Sequence, residues 1–295
     1  MKKKIFSILA LVLCLIPLAT LATACGEVND FVVITNNIST NYKTFAEAFS
    51  AAKDGDKIVL HKNAELDSEI VLSKSVILDG QNKYTIKAKD GFVGDESSPY
   101  GTEMFFISKN TPNVTLTLRN ITLDANKQGR ILVAQGGKVI VDGATLTGGL
   151  VTENYVAGVY ITHSASFEMT SGNISGNTVA GIYANANYLQ YSADLWIGAN
   201  ATGSLATIKG GKVGNIFVNS NEYSANNAGS FTINGGEVTN LYLEYDKGFG
   251  ATLNFKSGNI ENMLISTTTS GTSVKVTPVE NNTYKGGTIT PTPIA

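Results

Sequence analysis

Apolar and polar positions recur along the chain in one short phrase. It reads apolar, any residue, apolar, polar, a Gly, Ser or Asn, a small residue, any residue, apolar. The clearest copies are Thr207-Ile208-Lys209-Gly210-Gly211-Lys212-Val213, Thr232-Ile233-Asn234-Gly235-Gly236-Glu237-Val238 and Asn254-Phe255-Lys256-Ser257-Gly258-Asn259-Ile260. Earlier copies span residues 168–174 and 140–146, and weaker ones surround Leu78-Asp79-Gly80 and Leu118-Arg119-Asn120. The apolar residue before the polar one gives the series Leu78, Leu118, Val141, Met169, Ile208, Ile233, Phe255, with steps of 40, 23, 28, 39, 25 and 22. A step near 40 is either one coil with a large loop or two coils with a blurred copy.

A second phrase keeps time with the first. Residues 215–218, 240–243 and 262–265 each begin with Asn and continue in apolar residues, 25 and 22 apart. Residues 156–160 recur 23 later as 179–183. Each period therefore carries at least two strands of three to five residues, joined by turns. Such strands are too short for a sandwich and suit a coil stacked on its own next turn. One coil cannot bury its apolar face alone, whereas stacked coils bury a continuous core. The prediction is an all-β fold, a single-stranded right-handed parallel β-helix. Aligned positions become columns: Asn215, Asn240 and Asn262 as an amide ladder, and Gly210, Gly235, Gly80 and Gly143 at sharp turns.

One segment breaks the β pattern. Thr44 and Glu47 fit a capping box, and Phe45, Ala48, Phe49 and Ala52 fall on one helical stripe. Gly55 reads as the stop. This predicts one helix of about ten residues over 44–54, capping the open end of the stack, where an uncovered edge invites aggregation.

The first 24 residues read as export signal rather than fold. Met1-Lys2-Lys3-Lys4 is a basic start, Ile5 to Leu21 an apolar run broken by Pro17, and Ala22-Thr23-Ala24 a cleavage-type end. The Thr23-Ala24-Cys25-Gly26 end resembles a bacterial lipoprotein signal, which implies that Cys25 is lipidated and becomes the first residue. Ala22 stands where that family usually has Leu. The expected layout is signal 1–24, tether and entry 25–42, β-helix 43–290 and a frayed tail 291–295. The expected place is the outer face of the cytoplasmic membrane, held there through Cys25.

Composition narrows the class. The 295 residues are 43% hydrophobic and 16% charged, with 30 Gly and 6 Pro. That excludes a disordered chain, a collagen and a coiled coil. Two Cys and two His exclude a disulfide scaffold and most Cys/His zinc sites. Removing residues 1–24 takes away three lysines and no acid, moving the formal charge from −2 to −5. Nothing in this balance is a footprint for nucleic acid.

Residues 45–86 resemble the N-terminus of the pectin-lyase-like right-handed β-helix superfamily. The carriers are Phe45-Ala46-Glu47-Ala48-Phe49, residues 52–60 and Ser75-Val76-Ile77-Leu78-Asp79-Gly80. Residues 156–187 resemble the adhesin-like β-helix repeats of bacterial surface proteins, carried by residues 167–177. The resemblance covers most of residues 43–290. It implies the fold, and it implies several activities at once, because the fold hosts lyases, hydrolases and non-enzymatic adhesins.

Lyases of that superfamily use aspartates for calcium and a basic residue as base, and its hydrolases use clustered aspartates. Here the polar column runs Asp79, Arg119, Asp142, Thr170, Lys209, Asn234, Lys256. No coil shows an Asp-Asp pair. If no coil intervenes, Asp79, Arg119 and Asp142 meet. That set is either lyase-like, with Arg119 as base and the acids on calcium, or a solvated turn position of mixed charge. No other cofactor is expected. His61, His163, Asp124, Asp194 and Asp246 read as isolated turn or surface residues.

The long step after Met169 holds Tyr183, Tyr188, Tyr191 and Trp196. Either they ride a loop and stack on a sugar or a protein partner, or Leu195-Trp196-Ile197 is a buried strand. Three functions stay open: a non-catalytic adhesin-like module binding glycan or protein, a polysaccharide lyase or hydrolase, and a structural envelope component.

Overall fold

A computed structural model of the chain describes residues 30–94, 101–151, 157–179, 194–198, 205–218, 230–246, 249–250, 252–269, 273–278 and 287–289. The described chain is all-β, with one helix, Phe45–Ala51. Residues 1–24, Cys25, Tyr183, Tyr188, Tyr191 and 291–295 lie outside the described residues.

The strands form three parallel ladders. The first links Asp56–Leu60, Val76–Asp79, Thr115–Arg119, Lys138–Thr147, Ser166–Ile174, Leu205–Ile208, Ser230–Asp246 and Thr252–Thr269, each pairing with the next. The second begins with Ala64–Ser68, Thr85–Val93 and Thr122–Asp124. It continues through the later halves of Lys138–Thr147 and Ser166–Ile174 into Lys212–Val218. The third runs Ile70–Val71, Glu103–Ile107, Arg130–Ala134, Val159–Ile161, Leu195–Ile197, then the end of Lys212–Val218. Each circuit of the chain adds one strand to each ladder.

The apolar series read from the pattern is a physical column. Leu78 pairs with Leu118, Leu118 with Val141, Val141 with Met169, Met169 with Ile208, Ile208 with Ile233 and Ile233 with Phe255. All seven are at most 2% exposed. At about 1.5–3 kcal/mol for each fully buried side chain, such a column is a main source of stability in a chain expected to lack disulfides. Both long steps are therefore single coils with a large excursion. The column also begins one coil earlier, where Ile58 pairs with Leu78. That copy escaped the phrase because Val59-Leu60 stand where a polar residue and a turn residue are expected.

Three expectations need correction. The 23-residue recurrence of 156–160 does not set a register: Val159–Ile161 pairs with Leu195–Ile197. Residues 31–42 are not a tether but a hairpin, Phe31–Thr35 against Ile38–Tyr42, whose first strand lies antiparallel on Asp56–Leu60. Asn36 and Asn37 make its two-residue turn at φ 49 and 66, the left-handed pair that suits strand twist. Nor does the parallel stack run to 290. Ser273–Pro278 and Gly287–Ile289 lie antiparallel on Thr252–Thr269, so the chain reverses direction on the first ladder's terminal strand at each end.

The helix starts as expected. The Thr44 hydroxyl accepts from Glu47 N–H at 3.2 Å, and the Glu47 carboxylate accepts from Thr44 N–H at 3.1 Å. Phe45, Ala48 and Ala52 are buried in the core. It ends early, at Ala51, and Gly55 is not its stop. The Asp56 carboxylate accepts from Lys53 N–H at 2.7 Å and that of Asp54 from Ser75 N–H at 2.7 Å. These bonds draw the chain out of the helix, and Lys74 Nζ takes the freed carbonyls of Ser50 and Ala52. Gly55, at φ +83, makes the turn into Asp56–Leu60 instead.

Candidate functional site

The first ladder brings Asp79, Arg119 and Asp142 together on successive coils. Arg119 Nε donates to Asp142 Oδ2 at 2.9 Å, and Thr170 Oγ1 donates to Asp142 Oδ1 at 3.0 Å. Asp79 faces the other way: Lys57 Nζ lies 3.7 Å from its Oδ2, and Gln81 N–H donates to its Oδ1 at 3.0 Å. Every member of the set is thus tied to a neighbouring coil or turn. The Arg119 guanidinium is paired with a carboxylate, so it is poorly placed as a base. At 40% and 38% exposure, the Arg119–Asp142 pair contributes no more than about 1 kcal/mol.

A second brace, absent from the sequence reading, spans three coils. Glu168 takes Lys209 Nζ at 2.6 Å and Lys138 Nζ at 2.9 Å. The Lys209 bond, then the Lys138 bond, hold the Glu168 carboxyl below its ordinary range, against a smaller desolvation cost. A lowered carboxylate pKa in the folded state adds stability above the unfolded value of about 4.3, lost as pH falls through the folded value. Glu168→Gln is expected to remove about 1 kcal/mol at pH 7 and to flatten the acid limb, read by urea titrations from pH 7 down to 3. An acid limb identical to that of the parent would assign that limb to other groups.

The amide ladder is present and longer than expected. Asn262 Nδ2 donates to Asn240 Oδ1 at 3.0 Å, and Asn240 Nδ2 to Asn215 Oδ1 at 2.7 Å. It then reaches Asp194, one of the acids expected to stand alone. Asn215 Nδ2 donates to Asp194 Oδ2 at 3.1 Å, and Asn177 Nδ2 donates to Oδ1 at 2.9 Å from the other side. The backbone N–H groups of Asn215 and Asn177 add bonds of 2.8 and 3.2 Å to the same two oxygens. Asp194 is 2% exposed. Burial pushes its carboxyl up, and these four donors pull it the other way. A signal for this was present: Asp194-Leu195-Trp196-Ile197 copies Asn215-Ile216-Phe217-Val218 with Asp in place of Asn. Asp124 does keep to its turn, accepting from Asn126 N–H at 2.8 Å, and Asp246 ends Ser230–Asp246.

No family model, curated protein or solved structure matches this chain.

Of the two alternatives at Trp196, the buried strand holds. Its ring is 8% exposed, 5.2 Å from that of Tyr160 and 5.0 Å from that of Phe217, which lies 4.9 Å from Tyr242. Trp196 therefore packs in an aromatic column on the third ladder and does not offer its face to a sugar. The column was readable, since these four rings share one position of the second phrase. The only Trp of the chain is expected to emit at shorter wavelength in the native state than in urea and to resist iodide. Quenching as strong as in the unfolded chain would contradict this burial.

His61 Nδ1 lies 3.4 Å from Gln81 Nε2. His163 sits in a turn at φ 52, its pKa pushed down by burial and then by Lys109. Among the described residues, no three His, Cys, Asp or Glu side chains group as a metal set.

Proposed function

We propose that the chain is a right-handed parallel β-helix, carried outside the bacterial cytoplasmic membrane on a lipidated Cys25. It works as a non-catalytic adhesin-like module for a glycan or protein partner. The observation that carries the non-catalytic reading is the Arg119–Asp142–Thr170 brace, since the one lyase-like set is occupied in joining coils. Binding is supported by the first ladder's outward strip. Glu168, Thr207, Thr232 and Asn254, each partly exposed, follow one another in register at the strand spacing of about 4.8 Å. A rigid row of hydroxyl, amide and carboxylate groups suits a linear polymer better than a small molecule.

The test incubates the mature chain, carrying Cys25→Ser, with a panel of polysaccharides with and without calcium. The expected result is retention on at least one polymer and no released oligosaccharide. Released products that vanish in Arg119→Ala would overturn the reading in favour of a lyase. Radiolabelled palmitate incorporated by the full chain, and lost in Cys25→Ala, tests the anchor.

A further inference from the structure

The two strands that open the first and second ladders are finished differently. Asp56–Leu60 is covered by Phe31–Thr35. Ala64–Ser68 pairs with Thr85–Val93 on one edge and has no strand on the other among the described residues. That open edge is one wall of a cavity of about 680 Å³. Phe31, Phe45, Phe49 and Ile70 contribute to the lining, as do Lys43 and Lys62. Alternate backbone N–H and C=O groups of such a strand point away from its partner, into this space.

The side chains of the edge say what fits. Ala64 and Leu66 turn inward, at 5% and 6% exposure, while Glu65 and Asp67 are exposed. On the paired edge both acids meet bases: Lys87 lies opposite Glu65, and Lys89 Nζ is 2.8 Å from Asp67 Oδ1. Among the described residues, no strand stands across from them on the open edge. A second copy of the same strand would set acid against acid, which is unfavourable. A strand with bases at alternate positions would repeat the pairing that Thr85–Val93 already makes.

We propose that the open edge of Ala64–Ser68 is a strand-addition site for an extended segment of a partner protein. In that segment basic side chains alternate with small or apolar ones. Main-chain bonds to the edge hold it, Glu65 and Asp67 select its charge, and the partly buried Phe49 and Ile70 side chains take its apolar side. The site requires neither the lipid anchor nor a glycan, so it stands or falls separately from the function proposed above.

The probe is a fluorescein-labelled peptide repeating residues 85–89, Thr-Ile-Lys-Ala-Lys, titrated against the mature chain with Cys25→Ser. The expected result is a saturable rise in polarisation, with new hydrogen-exchange protection confined to residues 64–68. Glu65→Lys with Asp67→Lys is expected to weaken binding by at least about tenfold. The milder Glu65→Gln with Asp67→Asn, which keeps side-chain size, is expected to weaken it less and to lower its salt dependence. A peptide with Glu at both Lys positions is expected not to bind. Equal binding of the two peptides, protection elsewhere, indifference to both double substitutions, or no binding up to millimolar peptide would each overturn the proposal.

Discussion

Replacing Asp194 with Asn is expected to cost the fold about 3 kcal/mol, although the two side chains are nearly the same size. Packing is kept, and what changes is one acceptor. Each carboxylate oxygen takes one backbone N–H and one side-chain N–H, Oδ1 from Asn177 and Oδ2 from Asn215. An amide at 194 can accept on one side only, and on the other it sets N–H against two N–H groups. The neighbours cannot turn to help. Asn177 Oδ1 already accepts from Gly149 N–H at 2.8 Å, and Asn215 Oδ1 from Asn240 Nδ2. Turning Asn215 would force Asn240 and then Asn262 to turn in sequence. Within this ladder, donors arrive at Asp194 from both directions, and only an acceptor-only group satisfies both. Urea denaturation at pH 7 reads the loss, and an unchanged midpoint would show that these donors have other acceptors.

Gly172→Ala is expected to cost at least as much, about 3 kcal/mol or more, for a different reason. Gly172 has φ +109, and a Cβ there would lie 2.2 Å from the Ala144 carbonyl oxygen on the preceding coil. The strain of a left-handed L-residue adds about 1–3 kcal/mol, and the clash falls on backbone that cannot rotate away. Gly55→Ala is the control. It has φ +83 but nothing within 4 Å of the added carbon, so it bears strain alone and is expected to cost about 1 kcal/mol. Equal urea midpoints for the two variants would mean that coil contact at Gly172 is not tight. This position also corrects the glycine column. In register, Gly172, Gly211, Gly236 and Gly258 stack, one residue after Gly210 and Gly235, while Gly80 is not among the glycines with positive φ.

The legible parts of this fold are those that every coil repeats. Leu78 to Phe255 could be placed in one column because each coil must put an apolar residue at the same inward point. The Asn215–Asn262 ladder could be read because identical amides satisfy one another at the strand spacing. The excursion between Leu78 and Leu118 was legible only as one of two alternatives, since a loop leaves no mark on the pairing beneath it. Asp194 was missed because a substitution within a column looks like an isolated acid until the register is known. Glu168 was missed for the same reason, its two lysines being 30 and 41 residues away. At the candidate site, sequence brought Asp79, Arg119 and Asp142 together correctly. The direction of each side chain, and hence the brace to Thr170, depends on turn geometry that composition does not encode. The hairpin at Asn36-Asn37 carried its own signal, two left-handed-tolerant residues between two β runs, and was masked by its nearness to the N-terminal segment expected to be an export signal.

Cross-linking tests the coil register most directly, because the 40-residue step is where one coil and two coils differ. Ile77 and Thr117 lie opposite each other in register, and Ile140 is one coil further on. Neighbouring parallel strands stand about 4.8 Å apart, inside the roughly 4.4–6.8 Å range of a disulfide, and two coils stand about twice that distance. In residues 25–295 carrying Cys25→Ser, Ile77→Cys with Thr117→Cys is expected to close a disulfide under mild oxidation of the native protein. Ile77→Cys with Ile140→Cys is expected to stay reduced. An open first pair, or closure of the second as readily as the first, would contradict a stack of single coils in this register.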